Sequence, residues 1–225
     1  MAIQTTNTLA QNQWFDIHPN QSKPELINLL VEGFNLPHVP QFLQQVHGNQ
    51  IIEYSKQAES QLSYQADACF TRSKDVICAV MTADCLPVLL TDNAGSFVAA
   101  VHCGWRSLDA NILKETLNKI NSEHQILAWF GPCIQPMQYE VDESFVKNYL
   151  KQHPNSHPAF TAINTGKSFS DLHAMASIQL NALGVKRIEA ANQCTFLQPN
   201  YYSWRQNNTN KRMASMLWLT GKQAP

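Results

Sequence analysis

Apolar positions along the chain follow two rhythms, and the change from one to the other marks the elements. In "KPELINLLVEGF" Leu26, Leu29, Leu30 and Phe34 recur at helical spacing behind Pro24, which predicts a short helix near the N-terminus. "NQIIEY" reads as a strand. The following stretch, "ADACFTRSKDVICAVMTADCLPVLLTDNAGSFVAAVHCGW", breaks into short β-rich apolar runs separated by the turn-like "RSKD" and "DNAGS", and predicts several adjoining strands. Pro87 interrupts the second run directly after "ADC", so a bend or sheet edge is expected at Cys85 rather than a ladder interior.

Beyond Ser107, an expected N-cap, Leu108, Ile112, Leu113, Leu117 and Ile120 line one helical stripe. "ILAWFGP" is a strand stopped by Gly131 and Pro132. Asp142 can cap a helix in "ESFVKNYLKQ". "SDLHAMASIQLNALG" is a further helix, with Ser170 near its start and Gly184 just past its end, and "VKRIEAA" and "RMASMLWL" are late strands. Strands and helices interleave throughout without linker, repeat or low-complexity segment. One α/β domain over residues 1–225 is therefore expected.

Composition narrows the partners more than the fold. A chain of 225 residues, 44% apolar and only 15% charged, can bury a sizeable core. Its net charge of −1 supplies no basic field for nucleic acid and no polybasic membrane anchor. Neither a signal peptide nor an apolar run of membrane-spanning length is present, so a cytoplasmic location is expected. In that compartment the six cysteines are expected to be free thiols or metal ligands, and with no C-x-x-C pair a zinc ribbon or thioredoxin site is disfavoured.

Three places combine a soft or imidazole ligand with a break in regular structure: His47 in "QQVHGNQ", Cys85 in "TADCLP" and His102 in "AVHCGWR". Two His and one Cys suit zinc, and three protein ligands leave a fourth position open, as in catalytic sites. Strand alternation puts His102 on the face of Val98 and Ala100, and Cys103 on the opposite face with Phe97, Ala99 and Val101. The two neighbours are thus not expected to serve one site. By residue type alone, a His is more often a structural or surface residue than a ligand, and a Cys such as Cys85 more often still a small core hydrophobe.

The segments "QVHG", "ADACFT", "TADCLPVLL", "VAAVHCGWR", "YEVDESF", "DLHAMASIQLNALGV" and "YYSWR…KR", in this order, resemble the YfiH/laccase-domain family, also known as the multicopper polyphenol oxidase or purine nucleoside phosphorylase family. The resemblance runs from about residue 45 to 219. It implies a sandwich of mixed β-sheet flanked by helices, related to toxin-type cysteine hydrolases, with zinc held by His47, Cys85 and His102. It also implies that Cys103, where the family commonly has a small residue, fills the core. Asp84, beside the ligand cysteine, is the candidate to move protons or orient an imidazole, with turn-capping as its plain alternative. Arg106, and after it Arg205 and Arg212, are candidates for phosphate or substrate. Trp105, Tyr201, Tyr202 and Trp204 could stack on a planar base or simply pack.

The function the resemblance implies is zinc-dependent phosphorolysis of adenosine, inosine or methylthioadenosine, with adenosine deamination as an accompanying activity; the partners are then a purine nucleoside and phosphate. Copper-dependent polyphenol oxidation is the alternative behind the laccase name. True multicopper sites need many His, typically as H-x-H pairs, and this chain has eight His and no such pair, although copper could occupy the zinc site. A thiol hydrolase with Cys85 as nucleophile and His102 as base, or a cell-wall-editing role, are further readings. One departure from the family is plain: "TTNTLAQNQWFDIHPNQSKPEL" lacks the Arg and Gly of the family's usual N-terminal segment.

Overall fold

The structure, a computed structural model, describes residues 1–6, 8–9, 13–14, 24–55, 64–163 and 166–221. Most of the N-terminal segment that departs from the family pattern lies outside them. The chain opens with β1 (Ala2–Gln4), the two-residue strands β2 (Thr8–Leu9) and β3 (Gln13–Trp14), and helix α1 (Pro24–Gly33). The β-rich middle comprises β4 (Ile51–Tyr54), β5 (Ala68–Thr71), β6 (Cys78–Thr82), β7 (Leu86–Asp92) and β8 (Val98–Cys103). Helices α2 (Trp105–Asp109) and α3 (Ile112–Ile120) lead to β9 (Ile126–Phe130). Then come β10 (Glu140–Asp142), α4 (Glu143–Gln152), β11 (Phe160–Ile163), β12 (Lys167–Ser170), α5 (Leu172–Ala182), β13 (Arg187–Ala190), α6 (Trp204–Asn207) and β14 (Met213–Leu217).

Two sheets stack at the centre. The larger has the order β13-β9-β7-β8-β5-β4, antiparallel in the middle and parallel at both edges; the smaller, β1-β14-β6, is antiparallel throughout. The apolar runs of β6, β7 and β8 are nearly continuous because both faces of these strands are covered. Val98 and Ala100 of β8, with Leu89, Cys69, Cys78 and Val80, fill the space between the sheets. Ala99, Val101 and Cys103 face the other way, into a core shared with Leu108, Leu113, Met175 and Leu180 of α2, α3 and α5. On the far side of the small sheet Leu30 of α1 packs with Ile77, Ala79 and Met216. The result is a mixed α/β sandwich, helix over sheet over sheet over helices, in agreement with the expected class. No described helix is long and apolar enough to cross a membrane.

Several local expectations shift once packing is seen. Leu29 of α1, placed on the apolar stripe by periodicity, is exposed while Leu30 is fully buried. The helix expected to begin at Ser107 begins at Trp105 with Gly104 as its N-cap, and it is broken at Asn111, which is left-handed (φ 59°). Asp142 occupies the N-cap of α4 but gives its carboxylate to Lys167 at 2.9 Å, and α5 is capped by Asp171, which accepts from the Ala174 amide at 3.0 Å, rather than by Ser170. The bend expected at Cys85 is present, at residues 83–85 between β6 and β7, while Pro87 just after it lies in a central strand, opposite His102. Pro87 is tolerated because it lies one residue before the β9 ladder, which starts at Val88, and its carbonyl accepts the Gly131 amide at 2.9 Å.

Candidate metal centre

The chain changes sheet between β6 and β7 within three residues, Ala83, Asp84 and Cys85. So sharp a corner puts Asp84 at φ 101°, a conformation that costs a non-glycine residue about 1–3 kcal/mol and persists only when its surroundings fix it. They do. The Thr195 hydroxyl donates to Asp84 Oδ1 at 2.7 Å, the Arg205 amide donates to Oδ2 at 2.6 Å, and the Ile134 amide donates to the Asp84 carbonyl at 2.9 Å. The corner presents Cys85, half-buried, beside the last turn of β8. Residue 102, even-numbered like Val98 and Ala100, points His102 toward the gap between the sheets, where it is 2% exposed. His47 reaches the same point from an exposed left-handed turn (φ 59°) before β4.

These three side chains converge. Their ligand atoms lie within 4.8 Å of one another, Cys85 Sγ stands 4.0 Å from His47 Nε2, and the two imidazoles meet edge to face with centroids 4.8 Å apart. They are the one such grouping of three or more His, Cys, Asp or Glu among the described residues. Tetrahedral zinc, at about 2.0–2.3 Å from each ligand, sets ligand atoms about 3.3–3.8 Å apart. The observed triangle is slightly wider, so a small inward rotation of side chains would seat the ion. The donor set, two imidazoles and one thiolate, fits zinc and also copper.

Without a metal the thiol and the buried imidazole form an ion pair, whose proton a bound cation would displace. Burial pushes the Cys85 thiol up, but the charge and hydrogen bonds of His102 and His47 outweigh it and bring the thiol down to about 6. His102 moves the opposite way: burial lowers it, but the Cys85 thiolate and the Asp67 carboxylate raise it to about 9. Asp67, which composition and motif did not single out for a role, is fully buried and bonds His102 Nδ1 at 2.8 Å, leaving Nε2 toward the cluster. The signal that could have revealed it is an Asp embedded in the apolar start of a strand, "QADACF", where a buried charge needs a partner.

Gly104 sits in the same crowded corner. A Cβ there would stand 3.1 Å from Cys85 Sγ and 3.1 Å from His47 Cδ2. Gly104→Ala is therefore expected to push two of the three ligand side chains apart and weaken zinc binding by about 10-fold or more, on the scale of disturbed ligand orientation. A competition titration against a chromophoric chelator measures it, and unchanged affinity would show that the cluster has room to spare.

The cluster forms the floor of a cleft of about 730 Å³. Arg106, Arg205 and Arg212 all line it, with Tyr139 and Trp204. Arg106 is exposed with its guanidinium 4.3 Å from the Trp105 ring centre; Arg205 reaches the Glu140 carbonyl and lies over Tyr139. Arg212 donates to the Thr209 and Lys211 carbonyls. The aromatic candidates divide. Tyr201 and Tyr202 are buried with Ala83 and Met213, and Trp105 packs edge-on against Phe145, whereas Trp204 remains 52% exposed at the cleft wall. Asp84 lines the cleft with both carboxylate oxygens already engaged. Cys103 lies in the helix-side core, fully buried.

Known proteins share this architecture. A Haemophilus influenzae protein named purine nucleoside phosphorylase is 41% identical over 197 residues, 85% of this chain and 79% of that protein. The Escherichia coli K12 protein named purine nucleoside phosphorylase YfiH is 37% identical over 187 residues, covering 82% and 76%. The crystal structure of Neisseria meningitidis NMB0706 superposes with a TM-score of 0.86 at 31% identity, over 98% of this chain and 94% of that one. Bacillus licheniformis YfiH shares the fold at a TM-score of 0.86 and 23% identity, over 97% and 92%. The model of the family described as multi-copper polyphenol oxidoreductase laccase matches residues 25–220, and with that match over most of its length the chain belongs to this laccase-domain family.

Proposed function

We propose that this protein is a zinc-dependent purine nucleoside phosphorylase acting on adenosine, inosine or methylthioadenosine in the cytoplasm, with adenosine deamination as a second reaction of the same site. The observation that carries this reading is the His47–Cys85–His102 cluster at the floor of a nucleoside-sized cleft whose walls offer guanidinium groups and an exposed indole. The names of relatives such as those from Haemophilus and Escherichia support the same class. When bound, a zinc ion supplies Lewis acidity and an open coordination position.

The chain's own residues supply the rest. Arg106, anchored over Trp105, orients phosphate so that one of its oxygens faces the anomeric carbon; the C1′–O bond to phosphate forms as the C1′–N9 bond breaks, and a proton from the dihydrogen phosphate passes to the purine, giving the sugar 1-phosphate (ribose 1-phosphate, or its 5-methylthio form from methylthioadenosine) and free base. Asp84 acts as a brace for the corner that presents Cys85, since its oxygens already accept from Thr195 and Arg205. Trp204 is the platform for the purine. Stacking a base on an aromatic ring is worth about 1–3 kcal/mol, so Trp204→Ala is expected to raise the nucleoside KM by about 5- to 150-fold with metal content unchanged. Unaltered KM would remove Trp204 from the binding surface.

A panel of nucleosides, assayed with and without phosphate on protein of known metal content, tests the proposal. Phosphate-dependent release of free base with ribose 1-phosphate is expected. Base release independent of phosphate would make the protein a hydrolase. Ammonia without base release would make it solely a deaminase.

A further inference from the structure

We propose that Asp67 is the positioning residue that makes His47 and His102 a matched pair of ligands, holding His102 in the tautomer that presents Nε2 and shaping the turn that carries His47. The proposal rests on the metal-site reading above and concerns how this chain assembles that site.

Asp67 immediately precedes β5, is fully buried, and has four polar contacts to its carboxylate. Oδ1 lies 2.8 Å from His102 Nδ1 and accepts the His47 amide at 2.9 Å; Oδ2 accepts the Gly48 amide at 2.7 Å and the Val46 amide at 3.2 Å. Three successive backbone N–H groups thus wrap one carboxylate, an anion nest of the chain's own making. That wrapping stabilises the left-handed conformation of His47, which would otherwise be unfavourable for a residue with a side chain. The backbone repeats the connection, because the Asp67 carbonyl accepts the His102 amide at 2.7 Å. Residue 67 is therefore fastened to residue 102 through both main chain and side chain, and to the 46–48 turn through its side chain.

The chemistry of a carboxylate makes this arrangement directional. An ionised carboxylate only accepts, so each group against it must donate, and His102 Nδ1 must carry its proton. In a neutral ring Nε2 then has its lone pair free, on the side of Cys85 and His47. A simple brace for the 46–48 turn would explain the three amide bonds. It would leave the 2.8 Å contact to His102 without a purpose. Asparagine cannot imitate the group in either orientation. With its oxygen toward His102 and the His47 amide, its NH₂ opposes the amides of Val46 and Gly48, donor against donor. Flipped, its NH₂ faces His102 Nδ1, which must become an acceptor, and the ring proton moves to Nε2 where it blocks the ligand position.

The test uses zinc as the probe and two independent readings. In zinc-loaded wild type, ring-¹⁵N-labelled histidine spectra are expected to show His102 protonated at Nδ1, with that proton protected from exchange; a proton on Nε2 would overturn the proposal without recourse to any variant. In Asp67→Asn, the zinc dissociation constant from chelator competition is expected to rise 10- to 100-fold, the usual consequence of removing a carboxylate from a ligand imidazole, while far-UV circular dichroism of the zinc-free variant matches wild type. Zinc affinity within twofold of wild type would reduce Asp67 to a brace and overturn the positioning role alone. Failure of wild type to take up one zinc per chain would instead overturn the metal reading together with it.

Discussion

Cys85→Ala is expected to abolish zinc binding and to lower phosphorolysis by about 10³-fold or more, the rate equivalent of several kcal/mol of lost transition-state stabilisation. Cys103→Ala, eighteen positions further along, is expected to retain both. The difference follows from the sheet. Cys85 ends a sheet-to-sheet corner at the cleft floor, with His47 and His102 as its neighbours. Cys103 is fully buried on the helix side of β8, among Val101, Leu108 and Leu113, so losing its sulfur creates a small cavity. That cavity should cost about 1–2 kcal/mol and lower Tm by roughly 2–8 °C in a domain of this size. Metal content by atomic emission, base release, and thermal melts measure the three effects. Equal metal loss from both substitutions would show that the two faces of β8 have been assigned wrongly.

Removal of the metal is expected to turn Cys85 from a slowly labelled cysteine into the most reactive. In the zinc-bound protein its thiolate is committed to the ion, so iodoacetamide should modify it slowly. After chelation, burial still pushes the thiol up, but His102 and His47 bring it down to about 6, whereas burial holds Cys78, Cys103 and Cys133 well above the ordinary thiol range. The sign of the pH dependence follows. Because the thiol is depressed, labelling of the metal-free protein should climb through pH 6 and be nearly level by pH 7 to 8, where an ordinary thiol, near 8.5, is still gaining reactivity. Peptide mapping of labelled cysteines, with zinc added back in a parallel sample, measures this. Turnover should fall with chelation and return with zinc. Turnover that survives chelation but stops on alkylation would establish a thiol hydrolase with Cys85 as nucleophile and His102 as base.

The laccase name of the family does not by itself imply laccase chemistry here. Oxidation of polyphenols with four-electron reduction of oxygen uses several coppers, and the described residues gather a single three-ligand cluster. Two imidazoles and one thiolate suit copper in that position as well as zinc.

What the sequence by itself determined was whatever depends on neighbours along the chain. The period-two alternation of "FVAAVHC" separated His102 from Cys103, and the structure puts them on opposite faces of β8. The apolar runs of β6 to β8, the helix at α3, the strand at β9 and the glycine ending α5 were legible for the same reason, since side-chain direction in a strand or helix is set by its own backbone repeat. The family motifs added which His and Cys to group, and so named the cluster before any geometry was available.

Tertiary structure decided everything that depends on which segments meet. No periodicity connects the turn at Val46–Gly48 with the start of β5 and the end of β8, yet a single carboxylate, Asp67, bonds the first and the last. Nor could the "ADC" motif reveal that the Asp84 carboxylate accepts from Thr195 and the Arg205 amide, more than a hundred residues onward, at a corner of positive φ. Ser107 looked like a cap because Ser favours caps, but the helix starts earlier, just after Gly104, which lies close against Cys85 and His47. Exposure likewise separated Trp204 from Tyr201 and Tyr202, three aromatic residues within four positions that composition treats alike. The physical reason is common to all four cases: local pattern fixes the direction of a side chain relative to its own strand or helix, while its partners are chosen by long-range sheet pairing and by the need of each buried charge and backbone amide to find a partner across the fold.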